Sequence, residues 1–334
     1  MINIAINGFG RIGRHVFKVA MQKDNINVVA INDLTDNKTL AHLLKHDSTY
    51  SDYNGSVDFD DKNLIVAGVR IPIFEIKDPS ELPWKDLEVD IVMECTGRFR
   101  EKDQAELHIK AGAKKVILSA PGKGGKIPMY VRSVNCAKCS VEEATVIDNA
   151  SCTTNCIGPA MAVLEEQFGI EKGFMTTAHG YTADQNLQDG PHKDLRRSRA
   201  AAINMIPTTT GAAKAVGKVI PALVGNFDGF AIRVPIPTVS LADITVVLKK
   251  DVTVEEINNA FKEATKNARF EGVLDVTEEP LVSSDFVGNT HSSIIDLSLT
   301  SVVGGNLVKV VSWYDNEVGY SHRMVELAEI YGGK

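Results

Sequence analysis

The sequence lacks any long hydrophobic run, because none of its apolar stretches approaches the ~20 residues that a membrane-spanning helix requires. Its first residues carry no basic n-region, so we expect no secretory signal peptide. Cysteine is sparse and its five copies form an odd number, which fits a reducing cytosol better than a disulfide framework. The net charge of −7 argues against a general nucleic-acid or membrane-surface binder, so we expect neither partner.

Length and composition indicate an ordinary two-domain globular chain. Its 334 residues exceed what one core usually holds, and 44% hydrophobic with 24% charged residues are common values for a globular protein. The sequence shows no internal repeat and no low-complexity linker. Because the pattern of elements changes near residue 150, we expect a tight domain boundary there.

Strand-like and helix-like runs alternate in the first 150 residues, which predicts an α/β domain whose parallel sheet is covered on both faces. Valine-rich runs follow one another in the second half and predict a mainly antiparallel sheet. The predicted strands are 2–7, 28–32, 89–95, 115–120, 144–148, 229–234, 240–249, 292–297 and 307–314. The predicted helices are 14–23, 35–45, 102–111, 152–168, 253–266 and 317–330.

A glycine turn near the start of the chain predicts a dinucleotide site. Gly8, Gly10 and Gly13 form a G-x-G-x-x-G pattern between a predicted strand and a predicted helix. Asp33 ends the next strand, where a carboxylate accepts hydrogen bonds from an adenosine ribose and repels a 2′-phosphate. The pattern therefore favours NAD over NADP. The alternative is a structural turn with a helix-capping aspartate.

Cys152 is the candidate nucleophile. It lies at the start of a predicted helix, where the positive end of the dipole and the free N–H groups favour a thiolate. One alternative is an inert buried cysteine, which is our interpretation of Cys156. Another is zinc bound by Cys136, Cys139, Cys152 and Cys156. That set would need two ligands from within one helix, so we expect no metal.

The nucleophile needs a base and the substrate needs binding groups. His179 follows an apolar run and has small neighbours, so it is the best base among eight histidines. A basic segment, 192–199, stands out in an acidic chain and suggests an anion site, as does Arg233 before Pro235. The hydroxyls of 208–210 and Gly211 precede a predicted helix, whose start also suits phosphate.

Several of these motifs together resemble the phosphorylating, NAD-dependent glyceraldehyde-3-phosphate dehydrogenase family of glycolysis. The likeness runs from end to end of the chain. The segments that carry it are 6–14, 119–121, 150–156, 194–197, 210–215, 233–235 and 313–321.

The resemblance implies a Rossmann NAD-binding domain over 1–150, joined by the C-terminal helix 316–334, and an α+β catalytic domain over 151–315. It implies a cytoplasmic homotetramer that converts glyceraldehyde 3-phosphate, inorganic phosphate and NAD into 1,3-bisphosphoglycerate and NADH. The reaction would pass through a hemithioacetal and a thioester on Cys152. The nearest enzymatic alternative is erythrose-4-phosphate dehydrogenase, which hydrolyses its thioester, and a non-catalytic binding role is another.

The resemblance also implies roles for individual residues. Cys152 matches the nucleophile and His179 the base, whose imidazolium would help to lower the thiol pKa. One phosphate site matches Ser151, Thr153, Thr210 and Gly211. The other matches Thr182, Arg197 and Arg233, with Arg196 and Arg199 as alternatives to Arg197. The cofactor contacts are Gly8, Gly10, Arg11, Ile12, Gly13, Asp33, Lys77, Ser119 and Asn316. Lys77 stands where the family commonly has arginine, and Pro191 again points to NAD.

Overall fold

The structure is a computed structural model that describes residues 1–136 and 144–332. These residues form two compact units. The first unit contains 1–130, 144–150 and 321–332, and the second contains 131–136 and 151–320. Cys139, one of the four cysteines in the zinc alternative, lies outside the described residues.

An eight-stranded sheet forms the centre of the first unit among its described residues. Its strands are β1 (Ile2–Asn7), β2 (Ile26–Asn32), β3 (Val57–Phe59), β4 (Asn63–Val66), β5 (Val69–Phe74), β6 (Ile91–Glu94), β7 (Lys115–Leu118) and β8 (Val146–Asp148). The order is β3-β4-β5-β2-β1-β6-β7-β8. All pairs from β5 to β8 are parallel, which confirms the predicted Rossmann-type sheet. The antiparallel edge β3-β4-β5 was not predicted.

Four helices belong to the first half of the chain in the described residues, namely α1 (Arg11–Ala20), α2 (Asn37–Lys45), α3 (Lys102–Ala105) and α4 (Leu107–Lys110). Helix α1 begins three residues earlier than predicted, because the extended Gly10 ends the glycine turn and serves as its N-cap. Helix α2 is capped by Asp36, whose side chain accepts a hydrogen bond from the Thr39 N–H at 2.9 Å. The predicted helix 102–111 is two short helices.

A polar cluster lies inside the core of the first unit around Trp84, which is fully buried. The Trp84 indole Nε1 donates to His108 Nδ1 at 3.0 Å, and His108 Nε2 lies 3.1 Å from Glu94 Oε2. An indole N–H can only donate, so His108 accepts at Nδ1 and carries its proton on Nε2. Asn7 donates to the same Glu94 oxygen at 2.6 Å, which ties the end of β1 to the end of β6.

The second unit is built on another eight-stranded sheet in the part of the chain that is described. Its strands are β9 (Ile170–Gly180), β10 (Ile206–Thr209), β11 (Phe227–Val234), β12 (Ser240–Leu248), β13 (Leu274–Thr277), β14 (Ser293–Asp296), β15 (Ser301–Val303) and β16 (Leu307–Tyr314). The order is β10-β11-β9-β12-β16-β14-β13, with β15 paired to β16. Most pairs are antiparallel, as predicted, but β9–β11 and β13–β14 are parallel.

Three helices complete the second unit within the described residues, α5 (Cys152–Phe168), α6 (Ala212–Val219) and α7 (Val254–Thr265). Helix α5 has the predicted bounds and is buried along most of its length, against β12, β14 and β16 of the sheet. Helix α7 begins with the predicted capping box, in which Thr253 and Glu256 each accept from the other's backbone N–H.

The other tryptophan, Trp313, belongs to β16 in the second unit. Its ring stacks on Phe286 with centroids 5.2 Å apart, and its Nε1 donates to Asp296 Oδ2 at 3.2 Å. Because Trp84 is in the first unit, each unit contains one of the two tryptophans of the chain.

The last helix, α8 (Val318–Gly332), begins in the second unit, and its residues from 321 onward belong to the first. Within the first unit Glu329 pairs with Lys23 at 2.9 Å, and the Tyr331 carbonyl accepts from Lys115 Nζ at 2.5 Å. These contacts attach the end of the chain to the N-terminal sheet. No helix among the described residues is long and apolar enough to cross a membrane.

Candidate active site

A cavity of about 630 Å³ lies at the carboxyl ends of the parallel strands in the first unit. This is where open α/β sheets bind their ligands. The residues that line it come from the turns after β1, β2, β5 and β6 and from α3. They include Asn7, Gly8, Gly10, Asn32, Asp33, Leu34, Thr35, Ile76, Lys77, Cys95, Thr96, Arg98, Phe99 and Gln104.

The three glycines of the turn meet three different requirements. Gly8 has φ = +91°, a conformation that other residues rarely adopt. A Cβ on Gly13 would lie 2.0 Å from the Gly8 carbonyl oxygen, so only glycine lets α1 pack against the turn. A Cβ on Gly10 would meet no atom within 4 Å. Since Gly10 lines the cavity, the absence of its side chain leaves room for a ligand to approach the backbone.

Asp33 is held in position by the turn that it faces. Its Oδ2 accepts from the Phe9 N–H at 2.7 Å and its Oδ1 accepts from the Thr35 N–H at 3.0 Å. An ionised carboxylate has about four acceptor positions, so two remain for a ribose diol. The glycine turn and this carboxylate together fit the adenosine and pyrophosphate parts of a dinucleotide. Lys77 lines the same cavity.

Three other predicted cofactor contacts in the first unit are not among the described residues that line this cavity. Arg11, at the start of α1, pairs with Asp47 at 2.8 Å and lies over the Tyr50 ring. Ile12 follows it on the same helix and is half-buried. The Ser119 N–H, after β7, donates to the Glu94 carbonyl at 3.0 Å.

Cys152 and His179, the predicted nucleophile and base, lie together in the second unit. Cys152 is the first residue of α5, and the Ser151 hydroxyl caps that helix by accepting from the Thr154 N–H at 3.1 Å. His179 lies one residue before the end of β9 and is 4% exposed. The Cys152 Sγ is 3.5 Å from His179 Nε2, which is within reach for proton transfer.

The electrostatics of this pair differ from the expectation. Burial raises the pKa of the Cys152 thiol, and the Arg233 charge and hydrogen bonds from Thr153 oppose that rise. Burial and then the Arg233 charge lower the pKa of His179 to about 3. Both effects favour the neutral imidazole over the expected imidazolium, and the Arg233 charge favours the Cys152 thiolate.

Arg233 reaches this pair because of strand register. Strands β9 and β11 are parallel, and Arg233 is the register partner of His179. Its Nη1 lies 2.8 Å from His179 Nδ1 and 3.0 Å from the Gly180 carbonyl oxygen.

The three candidate arginines of the basic segment are held differently. Arg197 pairs with Asp184 and donates through Nε to the Thr208 hydroxyl at 2.9 Å. Its charge also lowers the pKa of both His179 and Arg233. Arg196 points to the Pro207 carbonyl and Arg199 pairs with Asp189. These contacts favour Arg197 over Arg196 and Arg199 as the arginine of the predicted phosphate site.

The predicted hydroxyl ligands have internal partners. The Thr153 hydroxyl is buried and lies 2.9 Å from the Tyr314 hydroxyl. The hydroxyl of the half-buried Thr210 accepts from the Ala212 N–H at 3.2 Å, next to the N-cap Gly211, whose Cβ position is open. Thr182 lies half-exposed in the turn after β9.

Comparison with known proteins gives one consistent result. Residues 2–102 match the family model for the NAD binding domain of glyceraldehyde 3-phosphate dehydrogenase, and residues 151–316 match the model for its C-terminal domain. The chain belongs to the glyceraldehyde-3-phosphate dehydrogenase family. It is thus an NAD-dependent oxidoreductase of that family, as predicted.

Curated members of the family align with nearly the whole chain. The glyceraldehyde-3-phosphate dehydrogenase of Geobacillus stearothermophilus is 54% identical over 333 residues, which cover 100% of this chain and 99% of the relative. That of Thermotoga maritima is 55% identical over 333 residues, with 99% of each chain covered. Glyceraldehyde-3-phosphate dehydrogenase 1 of Bacillus cereus is 53% identical, with 98% of each covered.

Two side chains of this family member were missed by sequence reasoning. Tyr314 is buried, and its hydroxyl lies 2.9 Å from the Thr153 hydroxyl and 2.9 Å from the Thr177 hydroxyl. Ser240 accepts from the Gly180 N–H at 3.2 Å and donates to Asn316 Oδ1 at 2.9 Å. The segment 313–321, one of those that carry the family resemblance, contains Tyr314, but only the register of β16 brings it to Thr177.

The cysteines that the zinc alternative invokes are not arranged for a metal where they are described. Cys156 is buried and its Sγ lies 3.2 Å from the Ser312 hydroxyl. Among the described residues, no group of three or more histidine, cysteine or carboxylate side chains is placed to hold a metal ion.

Proposed function

We propose that this chain oxidises glyceraldehyde 3-phosphate and phosphorylates the product with inorganic phosphate, giving 1,3-bisphosphoglycerate. The observation that carries the proposal is the Cys152–His179 pair, at 3.5 Å, with the half-buried Arg233 beside it. This chemistry needs a thiol to attack the aldehyde, a base to accept a proton and a cation to bind a phosphate.

Cys152 acts as the nucleophile. Its sulfur attacks the aldehyde carbon, and the carbonyl oxygen becomes the hydroxyl of a hemithioacetal. His179 then accepts the proton of that hydroxyl at Nε2, the nitrogen that faces the sulfur. Loss of the hydride from the same carbon leaves a thioester on Cys152. Covalent attachment divides one difficult oxidation into two easier steps.

The first unit supplies the groups that would hold NAD, which accepts the hydride when bound. Gly8, Gly10 and Gly13 provide the turn for the pyrophosphate, and Asp33 accepts from the ribose hydroxyls. Arg11, Ile12, Lys77 and Ser119 complete our proposed set in that unit. In the second unit Ser240 donates to the Asn316 carbonyl oxygen, which leaves the Asn316 NH₂ group to donate to the nicotinamide carboxamide.

Two groups of side chains would bind the phosphates. Arg233, Arg197 and Thr182 form one proposed site, which the charge of Arg233 beside Cys152 supports. Ser151, Thr153, Thr210 and Gly211 form the other. After hydride transfer, inorganic phosphate attacks the thioester carbon, and the Cys152 sulfur leaves as the acyl phosphate forms.

We also propose that the protein works as a homotetramer in the cytoplasm. Large apolar side chains are exposed on the second unit, which supports contacts with other subunits. The most exposed are Phe174, Leu187, Leu195, Ile203 and Met205. Cys95, Cys152 and Cys156 are free thiols, which suits a reducing compartment.

One assay tests the proposed activity. NADH formation is measured with glyceraldehyde 3-phosphate, with and without inorganic phosphate, and again with erythrose 4-phosphate. We expect sustained turnover only with glyceraldehyde 3-phosphate and phosphate together. Sustained, phosphate-independent turnover of erythrose 4-phosphate would favour the alternative enzyme. Replacing NAD by NADP should lower the rate, because Asp33 repels a 2′-phosphate.

A further inference from the structure

A buried carboxylate lies beside the glycine-turn cavity of the first unit. Glu94 is the last residue of β6 and is 2% exposed, and it is not among the described residues that line the cavity. Asn7 and Thr96, which both donate to its carboxylate, do line the cavity. Because a buried charge is costly unless it is bonded, the partners of Glu94 indicate what its burial maintains.

Only donors surround the Glu94 carboxylate in its printed contacts. Its Oε1 accepts from the Thr96 N–H at 2.8 Å and from the Thr96 hydroxyl. Its Oε2 accepts from the Asn7 NH₂ group at 2.6 Å and from His108 Nε2 at 3.1 Å, where the Trp84 indole keeps the His108 proton. These contacts fill the roughly four acceptor positions of an ionised carboxylate. A side chain that also donates would set one donor against another here.

The Asn7 amide transmits this direction to Asn32. Since the Asn7 NH₂ group donates to Glu94, its Oδ1 faces Asn32 and accepts from the Asn32 NH₂ group at 2.7 Å. The Asn32 NH₂ group also donates to the Ile76 carbonyl at 2.9 Å, and Asn32 Oδ1 accepts from the Ile76 N–H at 2.9 Å. Main-chain groups cannot exchange donor and acceptor, so this relay from Glu94 to Ile76 has one direction.

Both ends of the relay form part of the cavity wall. Ile76 and the next residue, Lys77, line the cavity together with Asp33. At the other end Thr96 lies against the glycine turn, because a Cβ on Gly8 would be 2.8 Å from the Thr96 nitrogen. Since Asp33 is the proposed ligand of the adenosine ribose, these segments belong to the adenosine half of the proposed cofactor site.

We propose that Glu94 is a positioning residue for the adenosine half of NAD. As a buried group that only accepts, it sets the direction of the relay and holds Ile76 and Thr96 in the conformation that binds the cofactor. It does so without contacting the cofactor itself. The proposal rests on the proposed placement of NAD in this cavity, and the experiments below separate the two.

Glu94→Gln keeps the size of the side chain but introduces an NH₂ group among donors. If the Asn7 amide turned to accept from that group, the NH₂ groups of Asn7 and Asn32 would meet. If the Asn32 amide turned as well, its NH₂ group would meet the Ile76 N–H. The conflict therefore reaches the cavity wall. Loss of charge alone predicts the opposite result, because removing a negative charge favours an anionic cofactor.

Calorimetry on the whole protein tests the proposal. ADP-ribose is the probe beside NAD, because it contains the adenosine and pyrophosphate parts without the nicotinamide. In Glu94→Gln we expect the affinities for NAD and ADP-ribose to fall by the same factor, about 2- to 30-fold, as for residues that act on a site without contacting its ligand. KM for NAD should rise while kcat stays near wild type. Unchanged or tighter ADP-ribose binding would overturn the proposal.

Hydrogen exchange without cofactor follows the relay itself. In Glu94→Gln the main-chain amides of 76–77 should exchange faster than in wild type, because the Ile76 N–H loses its fixed acceptor on Asn32. Val116→Ala is the control. It truncates a fully buried core side chain of β7 in the same unit, and Val116 is not among the described residues that line the cavity.

The control separates positioning from general support of the fold. Val116→Ala should lower the denaturant midpoint while exchange at 76–77 and ADP-ribose affinity stay near wild type. If Val116→Ala and Glu94→Gln changed exchange and affinity alike, Glu94 would only support the fold and the proposal would be wrong.

A second background tests the direction of the relay. Asn7→Asp sets two carboxylates together at a contact of 2.6 Å, so it should bind ADP-ribose poorly. Adding Glu94→Gln restores one donor and one acceptor there, and His108 Nε2, 3.4 Å from the Asn7 nitrogen, can donate to the new carboxylate. Glu94→Gln should therefore strengthen binding in this background, although it weakens binding in wild type.

The two backgrounds keep the proposal testable. A change of the same sign in both would overturn the fixed direction, and loss of charge alone predicts tighter binding in both. If Glu94→Gln alone did not fold, the absence of any gain on adding it to Asn7→Asp would overturn the proposal.

Asp33→Ala separates the role of Glu94 from the placement of the cofactor. If Asp33→Ala kept its ADP-ribose affinity, the placement of NAD in this cavity would be wrong, and the role of Glu94 with it. If Asp33→Ala lost affinity while Glu94→Gln kept it, the role of Glu94 alone would be wrong.

Discussion

The glycine-turn cavity of the first unit and the thiol site of the second are built from different materials. The cavity is shaped by main chain, with three glycines and a carboxylate that the N–H groups of Phe9 and Thr35 hold in place. The thiol site is made of side chains from the start of α5 and from strands β9 and β11. The glycine turn occupies one short stretch of sequence, whereas the thiol site depends on the register of strands far apart in the chain.

The difference also separates binding from chemistry. Changes at the thiol site should remove turnover and leave cofactor affinity intact. Changes at the glycine turn should lower cofactor affinity and leave the chemistry at the thiol intact. Each variant below is therefore measured for both quantities, NADH formation and NAD affinity by calorimetry.

The largest effect is expected at Cys152. Cys152→Ser should abolish NADH formation, because a serine hydroxyl at this position has no base strong enough to make it a comparable nucleophile. NAD affinity should stay within a few-fold of wild type. Cys156→Ser is the matched control one helical turn away, and it should retain turnover because the buried Cys156 sulfur lies 3.2 Å from the Ser312 hydroxyl, a partner that a serine can keep. Near-normal NADH formation by Cys152→Ser would falsify the assignment.

A smaller loss is expected at the base. His179→Asn should lower kcat by about 10²–10⁴-fold, the usual contribution of a positioned general base. The exposed His42, in the first unit, provides the control variant His42→Asn, which should have normal kcat. If His179→Asn lost NAD affinity to the same extent as kcat, the assignment of binding to one site and chemistry to the other would be contradicted.

Asp33→Ala tests the other side of the comparison. It removes two accepted hydrogen bonds and the ribose ligand, so NAD affinity should fall by about 10- to 150-fold, equivalent to one charged hydrogen bond of 1.5–3 kcal/mol. Alkylation of Cys152 by iodoacetamide, measured without cofactor, should keep its wild-type rate. Asp24→Ala, at an exposed carboxylate of the same unit, is the control. Unchanged NAD affinity in Asp33→Ala would remove Asp33 from the cofactor site.

The smallest effect is expected at Gly10. Gly10→Ala should weaken NAD binding several-fold, because its methyl group projects into the cavity, and should change the free energy of unfolding by no more than about 1 kcal/mol. Gly13→Ala is the contrasting variant. Its Cβ would collide with the Gly8 carbonyl, so we expect it to unfold at a much lower denaturant concentration. Equal stabilities for the two variants would show that the turn does not have this geometry.

The same contrast explains what could be predicted from the sequence. The glycine turn, Asp33 and the start of α5 are local patterns, in which a few neighbouring residues define both the backbone and the chemistry. The capping box of α7 is another, since Thr253 and Glu256 are three residues apart. These features were predicted at or near their observed positions.

What could not be predicted depends on pairing across the chain. The parallel register that sets Arg233 against His179 joins residues 54 positions apart, and no local pattern specifies it. The lowered pKa of His179 follows from burial and from that neighbour. Strands β3 and β4 were missed because they are only three and four residues long, too short to show the alternation that marks a strand.

The placement of the two tryptophans makes the protein its own optical reporter. Trp84 is fully buried and bonded to His108 in the first unit, and Trp313 is stacked on Phe286 in the second. Each ring has a different polar partner, so the two should emit at different wavelengths and be quenched to different degrees. A chain that keeps only one of them would signal the melting of one unit in isolation. The order in which the two units lose their structure can thus be observed in the intact protein without any attached dye.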